Sequence, residues 1–292
     1  FYFLFKKYNN LEKENYVYKF INTSLIFMII SSLGPWALGI IMNTLGNTSP
    51  LYKNAIYFYL HFQYNGWFII CLLGLFVYFL ESIKIKIVVS LLSSLYRLIV
   101  LSCVLTLLLS FLWTKPNTIV YSVAGLGAII QLIAYIKLYQ LISIYKLEIA
   151  KKLSINILIL LKFIFFLLIT KILLQLLTAI PYFAELVSQI KDFVIGYLHL
   201  IFLGITSLSI FFFLKQERLL KLNKTAIMVF LFGFVLSEGL IFYKGFCNWQ
   251  QLSIIDNYYF ILVIASSLMP IGVLLIFKQN IKTTFSTLTE PL

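Results

Sequence analysis

Leu158–Leu177 reads LILLKFIFFLLITKILLQLL, twenty residues interrupted only by Lys162, Thr170, Lys171 and Gln175. A helix rising ~1.5 Å per residue covers ~30 Å with that length, the thickness of a bilayer's hydrocarbon core. The run has none of the period-2 alternation that a transmembrane β-strand needs, so a barrel is excluded. Seven more stretches of the same kind flank it. The expected spans are 22–43, 55–80, 91–113, 118–143, 154–180, 193–214, 224–243 and 258–277. Composition agrees: 62% of the 292 residues are hydrophobic and 11% charged, against about 45–50% and about 25% in soluble domains. A soluble enzyme, a disordered chain and a disulfide scaffold are ruled out, and no glycine or heptad period points to collagen or a coiled coil. The expected fold is all-α, a polytopic transmembrane helix bundle of eight spans forming one integral-membrane domain over residues 1–292.

The loops orient the bundle. With the N-terminal side cytoplasmic, the inner segments carry Lys6, Lys7, Lys13 and Lys19, then Lys84, Lys86 and Arg97, then Lys137, Lys146, Lys151 and Lys152. Lys215, Arg218, Lys221, Lys224, Lys278 and Lys282 complete them, whereas the outer loops hold only Lys53, Lys115, Lys191 and Lys244. This positive-inside asymmetry places both termini in the cytoplasm. The formal net charge of +13 is therefore read as topology. No basic stripe interleaved with aromatics calls for nucleic acid. Phe1–Phe5 followed by Lys6 and Lys7 reads as the end of an earlier apolar helix, which predicts a fragment lacking an upstream helix or helices.

Smaller features refine the spans. Gly34-Pro35 and Met269-Pro270 are expected to kink the first and last, because proline removes a ladder donor. Ala124, Gly125, Gly127 and Ala128 form a face for close helix approach. Trp36, Trp113 and Trp249 suit the outer interface. Cys71, Cys103 and Cys247 show no C-x-x-C spacing and frame neither a disulfide nor a zinc site. Acidic pairs Glu12/Glu14 and Glu185/Asp192 read as solvated loop groups. No internal repeat is expected, and no G-x-S-x-G, H-E-x-x-H, Walker or G-x-G-x-x-G motif supplies a catalytic set.

Polar groups inside spans need a reason, since a charge at mid-bilayer costs at least ~2.5–3.5 kcal/mol. The two histidines, His61 and His199, each lie six residues in from the outer end of a span, ~9 Å deep at helical rise. Tyr57, His61, Tyr64 and Asn65 fall at i, i+4, i+7 and i+8, one helical stripe. Glu238 lies ~7.5 Å and Lys171 ~13 Å below the outer boundary, with Gln175 and Thr178 continuing the Lys171 stripe. Lys162 points to the opposite face and snorkels inward.

Phe58–Phe68, FYLHFQYNGWF, and Gly196–Leu208, GYLHLIFLGITSL, resemble the H-L-x-x-x-G helices of haem–copper oxidase catalytic subunits and of nitric-oxide-reductase and NnrS-type membrane haem proteins. The resemblance covers about two dozen residues. It implies a helical bundle with haem b ligated near the outer side by His61 and His199, Lys171 facing a propionate, and a membrane electron-transfer partner. The oxidase pattern's adjacent copper histidines are missing, so at most one low-spin haem site could be assembled. Most of the chain resembles a bacterial multi-pass family, which implies the cytoplasmic (inner) membrane. Two other readings stay open: a small-solute or ion transporter using His61, Lys171 and Glu238, and a structural membrane subunit whose polar groups pair across helices.

Overall fold

The computed structural model describes residues 2–8 and 14–288, and all regular structure among them is helical. Phe1, Glu12 and Lys13, used above in the charge and fragment readings, lie outside the described residues. Eight helices are long and apolar enough to cross a bilayer: α1 (Tyr16–Thr44), α2 (Pro50–Ser82), α3 (Val89–Thr114), α4 (Thr118–Lys152), α5 (Ile155–Leu177), α6 (Lys191–Gln216), α7 (Lys224–Gln250) and α8 (Tyr258–Leu288, apolar to Ile281). They make the chain an all-α, multi-pass membrane protein. Short helices Tyr2–Tyr8 and Pro181–Gln189 complete the described set.

Helix starts fall on capping residues. The first span begins at Tyr16, six residues earlier than expected, because the Asn15 side chain accepts Val17 N at 2.6 Å and Tyr18 N at 3.4 Å. Ser49, Asn117 and Asn223 cap α2, α4 and α7 in the same way, satisfying amides that have no partner one turn back. Pro35 acts as expected: α1 breaks at Ser32 and resumes at Leu33, which puts the proline in a first turn that needs no donor from it. Pro270 does not break its helix; α8 continues through it.

The chain divides into two compact units. Unit 1 comprises α1–α4 with residues 172–185, and unit 2 comprises residues 155–171 with α6–α8. In unit 1, α1 and α2 run antiparallel and approach at glycines: an added Cβ at Gly34 would lie 2.7 Å from Tyr59 Cβ, and one at Gly74 2.9 Å from Phe20 Cβ. The small-residue face of α4 behaves partly as expected. Gly127 meets Leu105, and Ala124 and Ala128 are buried with Leu109, Leu112 and Ala184, but Gly125 faces open space. In unit 2, α7 and α8 close on Gly233, against Leu268, and Gly272, against Phe230. Asn280 fastens the other end of α8, accepting Lys221 N at 2.9 Å and donating to Lys221 O at 3.0 Å.

Candidate functional site

Two of the eight spanning helices widen to π geometry part-way, and both departures begin at the histidines. In α2 the α-helix ends at His61, and Phe62–Ile69 is π-helical; in α6 it ends at His199, and Leu200–Thr206 is π-helical. Both histidines close the tripeptide Tyr-Leu-His, and both are followed five residues later by a glycine, Gly66 or Gly204. Five residues is the hydrogen-bonding step of a π-helix. Each glycine receives a phenylalanine from a neighbouring helix. An added Cβ would lie 2.8 Å from Phe27 Cβ at Gly66 and 2.6 Å from the Phe234 ring tip at Gly204. The expectation of no internal repeat therefore needs correction at this one element, which recurs in the second and sixth spans.

His61, 6% exposed, is fully engaged. Its Nε2 lies 2.8 Å from the Cys103 carbonyl and its Nδ1 3.4 Å from the Asn65 amide nitrogen. A carbonyl only accepts, so Nε2 carries the proton and Nδ1 accepts from Asn65. The reason for this bond lies in α3. Its α-helix gives way at Thr106 to a 3-10 helix, Thr106–Thr114. The Thr106 N–H still reaches back four residues to Ser102 O. Cys103 O also lies 3.5 Å from Thr106 Oγ1, whose nearer acceptor is Ser102 O at 2.7 Å, so the hydroxyl serves it only weakly. His61 supplies that carbonyl with a donor where water cannot. Of the expected stripe, Asn65 stays beside His61 across the wider π turn, while Tyr57 and Tyr64 are half-buried. Tyr57 shares its end of α2 with Lys53, whose Nζ lies 5.6 Å from the Tyr57 ring centre and 4.1 Å from that of Trp113. Trp113 Nε1 donates to Asn54 at 3.1 Å.

Unit 2 places its polar groups differently. Phe193 lies against Gly245, Gly196 against Phe242 and Gly204 against Phe234. Each step along α6 is matched by an equal step back along α7, the register of an antiparallel pair. Four residues after Gly196 is Leu200, and four before Phe242 is Glu238, so Glu238 stands level with Leu200 and its neighbour His199. On the other flank Gly204 meets Leu167 of α5, at 3.0 Å from an added Cβ. Lys171, one turn from Leu167 on the same face, comes to the same level. Glu238 is 8% exposed, and its Oε1 has no hydrogen-bond partner. Lys171 is 0% exposed. His199 is half-buried and has no hydrogen-bond partner among the described residues. Gln175, 6% exposed on the next turn of α5, belongs to unit 1. Lys162 is exposed, on the face opposite Lys171 as expected.

Helix register thus brings Lys171, His199 and Glu238 to one level within unit 2, and His61 bonds to a backbone carbonyl of α3. Haem suits this arrangement poorly on the His61 side. Ligating iron through either ring nitrogen would break a bond that His61 makes, and through Nε2 it would leave Cys103 O with only the long 3.5 Å contact from Thr106 Oγ1. Among the described residues no three His, Cys, Asp or Glu side chains group as a metal site. Sequence reasoning missed the π segments and the Cys103 carbonyl; the shared Tyr-Leu-His with glycine five residues on was the legible signal of the first. The chain matches no protein family and no curated protein.

Proposed function

We propose that this multi-pass membrane protein moves protons across the bilayer through unit 2, with Glu238 as the group that binds and releases them. The observation that carries the reading is a carboxyl oxygen buried in a membrane-spanning helix with no hydrogen-bond partner. An ionisable group there is costly unless it is paired or functional. Its level companions have the matching chemistry: His199 is an imidazole with no hydrogen-bond partner among the described residues, and Lys171 is a buried amine. The α-to-π switch beside His199 supports the assignment, since π segments are frequent at functional sites.

The transported species is the proton because the surroundings suit nothing larger. Phe234, Ile241 and Phe242 line the same helix within four residues of Glu238. A metal cation would need six or so oxygen ligands in place of its water shell, and the side chains of Phe234, Ile241 and Phe242 offer none. The chemistry is exchange between a carboxyl and an imidazole.

The test is proton flux into vesicles holding purified protein, read by an entrapped pH dye under an imposed potassium diffusion potential. Glu238→Gln, which cannot exchange a proton, is expected to reduce the flux to that of protein-free vesicles, and Glu238→Asp to retain part of it. Wild-type flux no greater than that of empty vesicles, or an unaffected Glu238→Gln variant, overturns the reading. Infrared difference spectra between acid and alkaline pH give an independent signature: a carboxylic-acid carbonyl band that disappears in Glu238→Gln.

A further inference from the structure

We infer that the ends of α6 and α7 that carry Asp192 and Lys244 form a gate over the Glu238 level, made of an aromatic plug beneath an ion-pair latch. This deepens the proton reading and rests on it for its purpose. Asp192 uses both carboxylate oxygens: Oδ1 lies 3.0 Å from Lys244 Nζ, and Oδ2 accepts from Asn248 Nδ2 at 3.0 Å. The Lys244 ammonium also sits 5.8 Å and 5.3 Å from the ring centres of Tyr258 and Tyr259 on α8. One cation therefore ties three helices together at this end of unit 2.

The plug adjoins the latch, with Phe193 at its level against Gly245 and Phe242 deeper, against Gly196. Phe193 and Phe242 have ring centres 6.3 Å apart, and each covers a glycine of the opposite helix: Phe193 covers Gly245 and Phe242 covers Gly196, both at 3.0 Å from an added Cβ. Phe242 is a single helical turn from Glu238 on α7, ~6 Å along the axis. Phe242 stands between the latch and the carboxyl, and Phe193 packs beside it at the latch level. Because each ring meets bare backbone, it can leave without dragging an interlocked side chain. The latch is suited to release: its side chains remain 21% and 16% exposed, so water can replace each partner as the ends part. Apolar packing alone would hold the ends together without any such substitute, and a purely structural clamp has no need of buried charge.

The experiment reads access, not transport. In a background with Cys71, Cys103 and Cys247 replaced by Ala, His199→Cys supplies a thiol at the Glu238 level. Sealed vesicles with the Lys244 end facing the medium are treated with methanethiosulfonate ethylsulfonate, a membrane-impermeant anion. The expected result is slow modification with the latch intact and at least tenfold faster modification in both Asp192→Asn and Lys244→Gln. The exchanged pair Asp192→Lys/Lys244→Asp should return the rate to slow. Steering of the anionic reagent alone would move the two single variants in opposite directions. Phe242→Ala, which removes the plug and keeps the latch, is expected to speed modification as well and serves if a latch variant does not fold. Equal rates in all forms, or opposite shifts in the two single variants, overturn the gate. If access changes while Glu238→Gln leaves proton flux intact, the gate stands and the proton reading falls.

Discussion

The segments Tyr59–Gly66 and Tyr197–Gly204 start from the same tripeptide and the same spacing to glycine, and they diverge in what their histidines meet. In the first, the imidazole is saturated by Cys103 O and Asn65. In the second, it has no hydrogen bond among the described residues, and a carboxyl whose Oε1 is likewise unpartnered stands level with it on α7. The local backbone is the same in kind, an α-helix widening to π immediately after the histidine. The difference comes from the neighbouring helix. Helix α3 tightens to 3-10 and presents a carbonyl, whereas α7 stays α-helical throughout and presents a side chain. One element serves as a staple in unit 1 and as a chemical site in unit 2, which is why two histidines at equal expected depth need not share a role.

Stability measurements should separate the two most sharply. Replacing His61 with Leu removes the side-chain donor to a buried carbonyl, which costs about 1–3 kcal/mol. His199→Leu breaks no hydrogen bond, and its unfolding free energy should stay within about 1 kcal/mol of wild type. Denaturant titration of both variants in the same detergent checks this, and equal losses would remove the distinction between staple and site.

The glycines give an effect of comparable size and opposite design. Gly66→Ala and Gly204→Ala each overpack a close contact, at about 1–3 kcal/mol. At Gly204 the first atom met is the tip of the Phe234 ring, so Phe234→Leu should restore most of the loss. At Gly66 it is Phe27 Cβ, which Phe27→Leu retains, so no rescue is expected there. Double-mutant cycles by thermal unfolding would show coupling at the first pair and little at the second.

The smallest effect is expected at Asn65. Its amide nitrogen makes a long 3.4 Å bond to His61, while its own Oδ1 is buried without a partner. Asn65→Leu loses the one and relieves the other, so a net change below about 1 kcal/mol is expected from compensating terms. A larger loss in the same titration would mean that Asn65 fixes the His61 tautomer and that the staple depends on it.

Much of the fold was legible because a bilayer imposes a length and a polarity that few sequences meet by accident. The eight apolar runs became eight long helices, and the errors were confined to ends, where Asn15 and Ser49 extend helices beyond their apolar stretch. Pro35 marked a break and Pro270 did not, since proline interrupts a helix only where the surrounding turns cannot be completed without it. The candidate site was half legible. Lys171, His199 and Glu238 stood out as ionisable groups in hydrocarbon, and an intramembrane charge is conspicuous in any sequence. Asp192 and Lys244 did not, because they lie at span ends, where charge is ordinary.

Patterning along the chain was enough for the class of fold, the number of spans and the short list of polar residues that lipid should not tolerate. Those follow from the cost of exposing peptide and charged groups to hydrocarbon, a penalty each segment pays on its own. Which histidine is bonded and which is open was decided only when helices packed. It depends on His61 of α2 meeting the Cys103 carbonyl of α3 near its change of pitch and on the register between α6 and α7, and both are properties of pairs of helices that no single segment carries.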